Sequence, residues 1–198
     1  MKKAIFIIIL FSIWNKGISQ DNYKKSIIGV GMAASLVVQR VQYLSYDGYF
    51  LSFDHSIKVT RITPVFSFSY DYKVNRSFSI GGAFAYQLVE LSNNYIRSYK
   101  FVSMERYNVS LRALYYYKKH DHFQLYSGLR LGINSNSIMA TSMDAMWVES
   151  FDSMKGVQYA PQFIGLGANF NMTPDILIVG EICIGTPYIF YLGMAVSL

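Results

Sequence analysis

The sequence predicts an all-β protein: eight antiparallel strands closed into an up-and-down barrel that crosses a membrane. Three observations predict it. Segments that alternate large apolar residues with small or polar ones recur along the chain. The connections between them alternate long and short. Charged residues make up only 15% of the 198 residues, while aromatics reach 17% with 17 Tyr and 14 Phe. Soluble domains carry roughly 25% charged residues. A chain poor in charge and rich in tyrosine suits a barrel with lipid outside and aromatic girdles at both interfaces.

The N-terminus gives the compartment. Lys2 and Lys3 precede an apolar run, Ala4 to Trp14, broken only by Ser12. Such a run is too short for a spanning helix, which needs ~20 residues, and matches the core of a secretory signal peptide. Gly17 and Ser19 supply the small residues a signal peptidase reads, so residues 1–19 are expected to be removed between Ser19 and Gln20, leaving 20–198 as the barrel domain. The formal charge of +6 is partly a leader effect: Lys2, Lys3 and Lys16 go with it, leaving 15 basic against 12 acidic residues. No basic stripe points to nucleic acid. Cys183 is the single cysteine, which excludes an internal disulfide.

Strands place successive side chains on opposite faces, so each segment can be read for an outer and an inner face. The first sets Ile28, Val30, Met32, Ala34, Leu36 and Val38 outward against Gly29, Gly31, Ala33, Ser35 and Gln39. A tyrosine-rich loop, 42–57, follows. The second sets Ile62, Phe66, Phe68, Tyr70 and Tyr72 against Arg61, Thr63, Ser67, Ser69 and Asp71, with Pro64 near its start, where a missing ladder donor is tolerated. After the turn 73–76, the third sets Phe78, Ile80, Phe84, Tyr86 and Leu88 against Ser79, Gly81, Ala83, Ala85 and Gln87. Residues 91–104 read as a polar loop.

The fourth strand sets Tyr107, Val109, Leu111, Ala113, Tyr115 and Tyr117 against Asn108, Ser110, Arg112 and Tyr116. After the turn 118–122, the fifth sets Phe123, Leu125, Leu129, Leu131 and Ile133 against Gln124, Tyr126, Gly128, Arg130 and Gly132. The longest connection, 135–155, carries Met139, Met143, Met146, Trp147, Phe151 and Met154, a spacing open both to a short amphipathic helix and to an extended hairpin. The sixth strand, about 157–170, sets Ile164, Leu166, Ala168 and Phe170 against Gly165, Gly167 and Asn169. The turn 171–175 leads to a seventh with Ile176, Ile178, Ile182 and Ile184 against Glu181, Cys183 and Gly185. The last stretch, Tyr188 to Leu198, sets Phe190, Leu192, Met194, Val196 and Leu198 against Tyr191, Gly193, Ala195 and Ser197, with no charge anywhere in it.

Even strand number, short turns at one end and long loops at the other are the marks of bacterial membrane barrels. Tyr191, Gly193, Val196 and Leu198 resemble the C-terminal signal such proteins present to their assembly machinery; Leu198 departs from it in being aliphatic where the family most often ends on an aromatic. From Ser26 to Leu198 the chain resembles the small eight-stranded outer-membrane barrels of the OmpA/OmpX type. The resemblance implies a Gram-negative outer-membrane location, surrounding outer-membrane lipid and a monomer folded by the barrel-assembly machinery. It fixes no activity, because these barrels include adhesins, structural anchors and lipid-modifying enzymes.

Chemistry is sparse. His55, with Ser52, Asp54 and Ser56 nearby, is the one histidine expected at the outer rim, and it lacks the His-x-Ser spacing of barrel deacylases. No catalytic residue is assigned; a lipid acyl hydrolase or transferase is the alternative. His120 and His122 flank Asp121 in a turn, two ligands where a metal site needs more, so no metal or cofactor is expected. The expected work is surface interaction, adhesion or envelope support, with a ligand met through loops 42–57 and 135–155. A narrow-pore, porin-like channel is a further alternative. It is opposed by the inner-face charges Arg112, Arg130 and Glu181, which are expected to pair across a lumen too narrow to stay open, with Tyr116, Tyr126 and Gln124 filling the periplasmic end.

Overall fold

The computed structural model describes residues 26–35, 57–93, 100–117, 122–141 and 156–198. Among them the chain forms nine strands and no helix: β1 (Ser26–Ala34), β2 (Ile57–Ile62), β3 (Val65–Lys73), β4 (Phe78–Asn93), β5 (Lys100–Tyr116), β6 (Phe123–Thr141), β7 (Gly156–Asn171), β8 (Ile176–Gly185) and β9 (Phe190–Ser197). Each pairs antiparallel with its neighbour, β1 with β3 and then in chain order to β9, and β9 returns to pair with β1. The ring closes on eight strands. β2 stands outside it, paired with the upper end of β4. It and β3 are one predicted strand, broken at Thr63-Pro64, where proline cannot donate to the ladder.

Closure follows from the alternation. The outer face is apolar and uncovered: Leu111, Ile184 and Leu131 expose 74%, 72% and 64% of their surface. A water-soluble protein could not present so large an apolar belt. The inner face carries the small and polar residues, and they are buried: Ser67, Ser69, Ser79, Ala83, Ala85, Ser110 and Ala195 among them. Calling the end with Ser26 and Leu198 the base, the turns 74–77 and 172–175 lie there. Local side chains shape both. Asn75 Oδ1 accepts from the Ser77 amide at 2.9 Å, and Thr173 Oγ1 accepts from the Asp175 and Ile176 amides. Tyr70, Tyr72, Tyr115 and Tyr117 are exposed toward the base, and the rings of Tyr115 and Tyr117 meet edge to face at 5.6 Å.

Four expectations are corrected. The loop read at 91–104 is mostly strand: β4 runs to Asn93 and β5 begins at Lys100, in continuous register from Phe78↔Tyr115 to Asn93↔Lys100. The 135–155 connection is likewise strand up to Thr141, paired with Phe101, so the extended hairpin holds to that point; 142–155 lie outside the described residues. The first loop closes at residue 56, since Ile57 opens β2. Ile164 points inward and is fully buried. The register shifts by one residue between Ile164 and Leu166, so Gly165 forms a bulge that turns the upstream half of β7 over. Sequence alternation cannot see such a bulge. The signal segment, His55 and His120 also lie outside the described residues; His122 is exposed at the base.

Candidate functional site

Two features set this barrel apart: a charge-paired plug in its lumen and a wall that rises on one side.

The plug is built from strands on both sides of the lumen. Arg112 on β5 is 5% exposed, and its Nη2 donates to Glu181 Oε1 on β8 at 2.7 Å, from across the lumen. Its Nε lies 3.1 Å from Asp71 Oδ1 on β3. Glu181, 1% exposed, also accepts from the Tyr126 hydroxyl at 2.8 Å on Oε1 and from the Tyr188 hydroxyl at 3.0 Å on Oε2. Arg130 on β6 is wholly buried, its guanidinium 4.9 Å from the centre of the Tyr188 ring. None of its three nitrogens has a hydrogen-bond partner among the described residues. Arg112 and Arg130 sit directly opposite in the β5–β6 register, and Arg130 sits opposite Gln162 on β7.

Two glycines make these reaches geometrically feasible. Gly81 of β4 stands between Asp71 and Arg112 in the register, and a Cβ there would lie 2.4 Å from Asp71 Oδ1. Gly167 of β7 stands between Tyr126 and Glu181, and the Tyr126 ring lies over it, 2.2 Å from where a Cβ would be. In each case a missing side chain lets residues on the flanking strands meet across one strand. The room beside Gly128 and Gly132 is used differently, by Leu114 and Ser110.

Of the residues singled out in the sequence, Arg112 and Glu181 are in contact, while Arg130 is in the same layer but bonded to neither. The Tyr116 and Tyr126 rings meet at a tilt toward the base, with centres 5.4 Å apart; Gln124 is half-buried. Arg61, read as inward, is exposed and lies 4.0 Å from Glu90 at the top. Two members were missed. Asp71 was readable as inward, yet nothing in one strand says which distant charge it meets; it gives the plug two carboxylates for two arginines. Tyr188 was read into the terminal strand. It lies ahead of β9, after Gly185 at φ +109° and a cis Thr186–Pro187 bond, and is buried where alternation would turn it outward. Of the terminal residues, Tyr191 is buried against Gly31 and Gly193, while Val196 and Leu198 face out.

The wall is uneven at the top. β4, β5, β6 and β7 run 16, 17, 19 and 16 residues, against 9, 10 and 8 for β1, β8 and β9. The tops of β4, β5 and β6, with β2 added at the β4 edge, stand above an aromatic cluster of Phe84, Tyr86 and Tyr107. Above it the outward face is mixed: the polar Glu90, Glu105, Ser135 and Ser137 stand among the exposed Ile62 and Met139. Among the described residues, no group of three or more His, Cys, Asp or Glu side chains could hold a metal.

The model of the outer membrane protein beta-barrel domain matches residues 16–188. Similar solved structures include the crystal structure of Ail, the attachment invasion locus protein of Yersinia pestis, at 15% identity, covering 88% of this chain and 98% of that one with a TM-score of 0.44. Ail in a phospholipid bilayer nanodisc matches at 15% identity, 88% and 99% coverage and a TM-score of 0.45. Ail in complex with the heparin analogue sucrose octasulfate matches at 14%, with 88% and 98% coverage and a TM-score of 0.45. No curated protein matches. The chain belongs to the outer membrane protein β-barrel domain family.

Proposed function

We propose that this protein is a closed, non-conducting barrel that works at the cell surface, carrying its raised sheet outward for contact and adhesion. The observation that carries the reading is the uneven wall: β4, β5 and β6 continue well past the level where β1, β8 and β9 stop. A barrel needed only to span the bilayer gains nothing from strands of 16 to 19 residues on one side, since ~9–11 suffice to cross. The sheet they form carries Glu90, Glu105, Ser135 and Ser137 on its outward face. The plug supports the other half of the reading, because two arginines and two carboxylates lie buried in the lumen of an eight-stranded wall. In this reading the protein is exported by a leader cleaved between Ser19 and Gln20. The assembly machinery recognises Tyr191, Gly193, Val196 and Leu198, and the protein stands as a monomer in outer-membrane lipid.

The test replaces residues 137–155 with a short Gly/Ser turn, leaving the membrane-spanning part of the barrel. Whole cells carrying this variant should lose attachment to host-cell or matrix-coated surfaces while the protein keeps its folded, heat-modifiable form. Attachment that survives the replacement would refute the surface reading. Unchanged attachment with new detergent sensitivity would favour an envelope-supporting role, and lipid deacylation abolished by His55→Ala would favour an enzyme.

A further inference from the structure

Among the described residues, the wall has an opening. β1 pairs with β3 up to Ala33↔Val65, and the next pair would be Ala34 with Pro64, which has no N–H to give. Beyond that point the chain follows β4 instead. The Thr63 amide donates to Leu88 O at 3.0 Å, the Leu88 amide donates to Thr63 Oγ1 at 2.9 Å, and β2 continues along β4. Among the described residues, β2 pairs with β4 and not with β1. On its other side β1 stays joined to β9, with the Ile189 amide donating to Ala34 O.

A groove of about 400 Å³ lies in the gap, lined by Met32, Ala34, Ile62 and Phe190 from the outer face and by Ala33 and Gln87 from the inner face, with Pro64 at the break. Residues of both faces line it because the β1–β3 ladder ends there. Its volume lies within the ~300–1,000 Å³ usual for small-molecule sites. Its lips are apolar and half-exposed. Its inner end is Gln87, 3% exposed: Nε2 donates to Thr63 O at 3.3 Å, and Oε1 has no hydrogen-bond partner among the described residues. The Arg106 guanidinium, which donates to Ser35 Oγ, lies at the same level in the register, opposite Gln87.

We propose that this groove holds one acyl chain of an outer-leaflet lipid, with Gln87 Oε1 accepting from a hydroxyl or amide N–H near the chain's polar end. The medium at the lips decides the occupant. Met32, Ile62 and Phe190 belong to the outward belt of a membrane barrel, so the groove opens onto hydrocarbon near the outer interface, and a lipid chain is what stands there. The buried amide oxygen selects among lipids. A chain bearing a donor satisfies it, whereas a plain ester chain leaves it unpaired in an apolar setting, which is costly.

The full-length protein in phosphatidylcholine vesicles tests this, with trace diazirine-bearing ceramide, whose polar end has an amide N–H and hydroxyls, or trace diazirine-bearing phosphatidylcholine, which has neither. After irradiation, ceramide adducts should concentrate on the peptides carrying Met32–Ser35, Ile62–Pro64 and Gln87, above those at the open belt residues Leu111 and Ile184. One hydrogen bond of about 1 kcal/mol makes the preference for ceramide over phosphatidylcholine about fivefold, and Gln87→Leu should abolish it. Ala34→Trp, which fills the groove from the lipid side, should remove the labelling and serves if Gln87→Leu does not fold. Labelling no higher than at Leu111, or a ceramide preference that survives Gln87→Leu, would overturn the proposal. So would a photo-crosslinker at Ala34 that captures residues 36–56 of the same chain instead of lipid.

Discussion

Glu181→Leu is the sharpest perturbation of the plug. Glu181 is the one acceptor shared by Arg112, Tyr126 and Tyr188, at 2.7, 2.8 and 3.0 Å, and it is 1% exposed. Without it, two buried guanidinium groups face the single carboxylate of Asp71, and two buried hydroxyls lose their partner. Removing one member of a buried ion pair costs about 3–5 kcal/mol, mostly because the charge left behind stays desolvated. The loss should be read by equilibrium urea unfolding of the protein in lipid vesicles, following the shift in gel mobility between folded and unfolded forms. The double variant Glu181→Leu/Arg112→Leu separates this explanation from simple loss of packing. It leaves Asp71 and Arg130 as a balanced pair of charges, so most of the lost stability should return, since apolar replacement of a whole buried pair is often neutral or favourable by ~1–4 kcal/mol. A single-variant loss below about 1 kcal/mol would mean that water solvates these charges and that the lumen is not closed by their pairing. A double variant worse than the single would refute the charge argument and leave packing as the cause.

Gly167→Ala should destabilise by roughly 1–3 kcal/mol, because its Cβ would sit against the Tyr126 ring, and Tyr126→Phe should cost a similar amount through the lost bond to Glu181; the same unfolding assay reads both. Leu111→Arg, at an outward position paired with Gly82 and Leu131, should cost about 2–4 kcal/mol in vesicles if that belt meets lipid, whereas Ser137→Arg on the raised sheet should cost close to nothing. Cys183 is 4% exposed, so a maleimide should label it only after unfolding, and rapid labelling of the folded protein in vesicles would contradict its inward placement.

The wall was legible in the sequence because its signal is local. A period of two is imposed on every strand by lipid on one side and a narrow lumen on the other, so Val30, Phe68, Leu111 and Ile182 announce the outer face without knowledge of their neighbours. It failed where the backbone departs from that period. The Gly165 bulge inverted the upstream half of β7 and hid Ile164, and the bend after Gly185 sent Tyr188 inward. The loops were overestimated for a related reason. Above the bilayer the outer face meets water in place of lipid, alternation fades, and Leu91 to Met104 read as a loop although the ladder continues to Asn93 and resumes at Lys100. The lumen was half legible. That Arg112, Arg130 and Glu181 point inward follows from periodicity. That Asp71 completes the set depends on β3 and β5 being separated by one strand with Gly81 at the crossing, a fact of register that no single segment carries. The groove beside β1 was not legible, since Pro64 reads as an ordinary strand start until β2 is seen to follow β4.

Single-channel recording of the purified, full-length protein in a planar bilayer tests the closed lumen most directly. With Arg112 bound to Glu181 and Asp71, and Arg130 packed on Tyr188, the intact protein should add no steady conductance to the membrane. A large, steady open level from the unmodified protein would contradict the plug and make this barrel a channel.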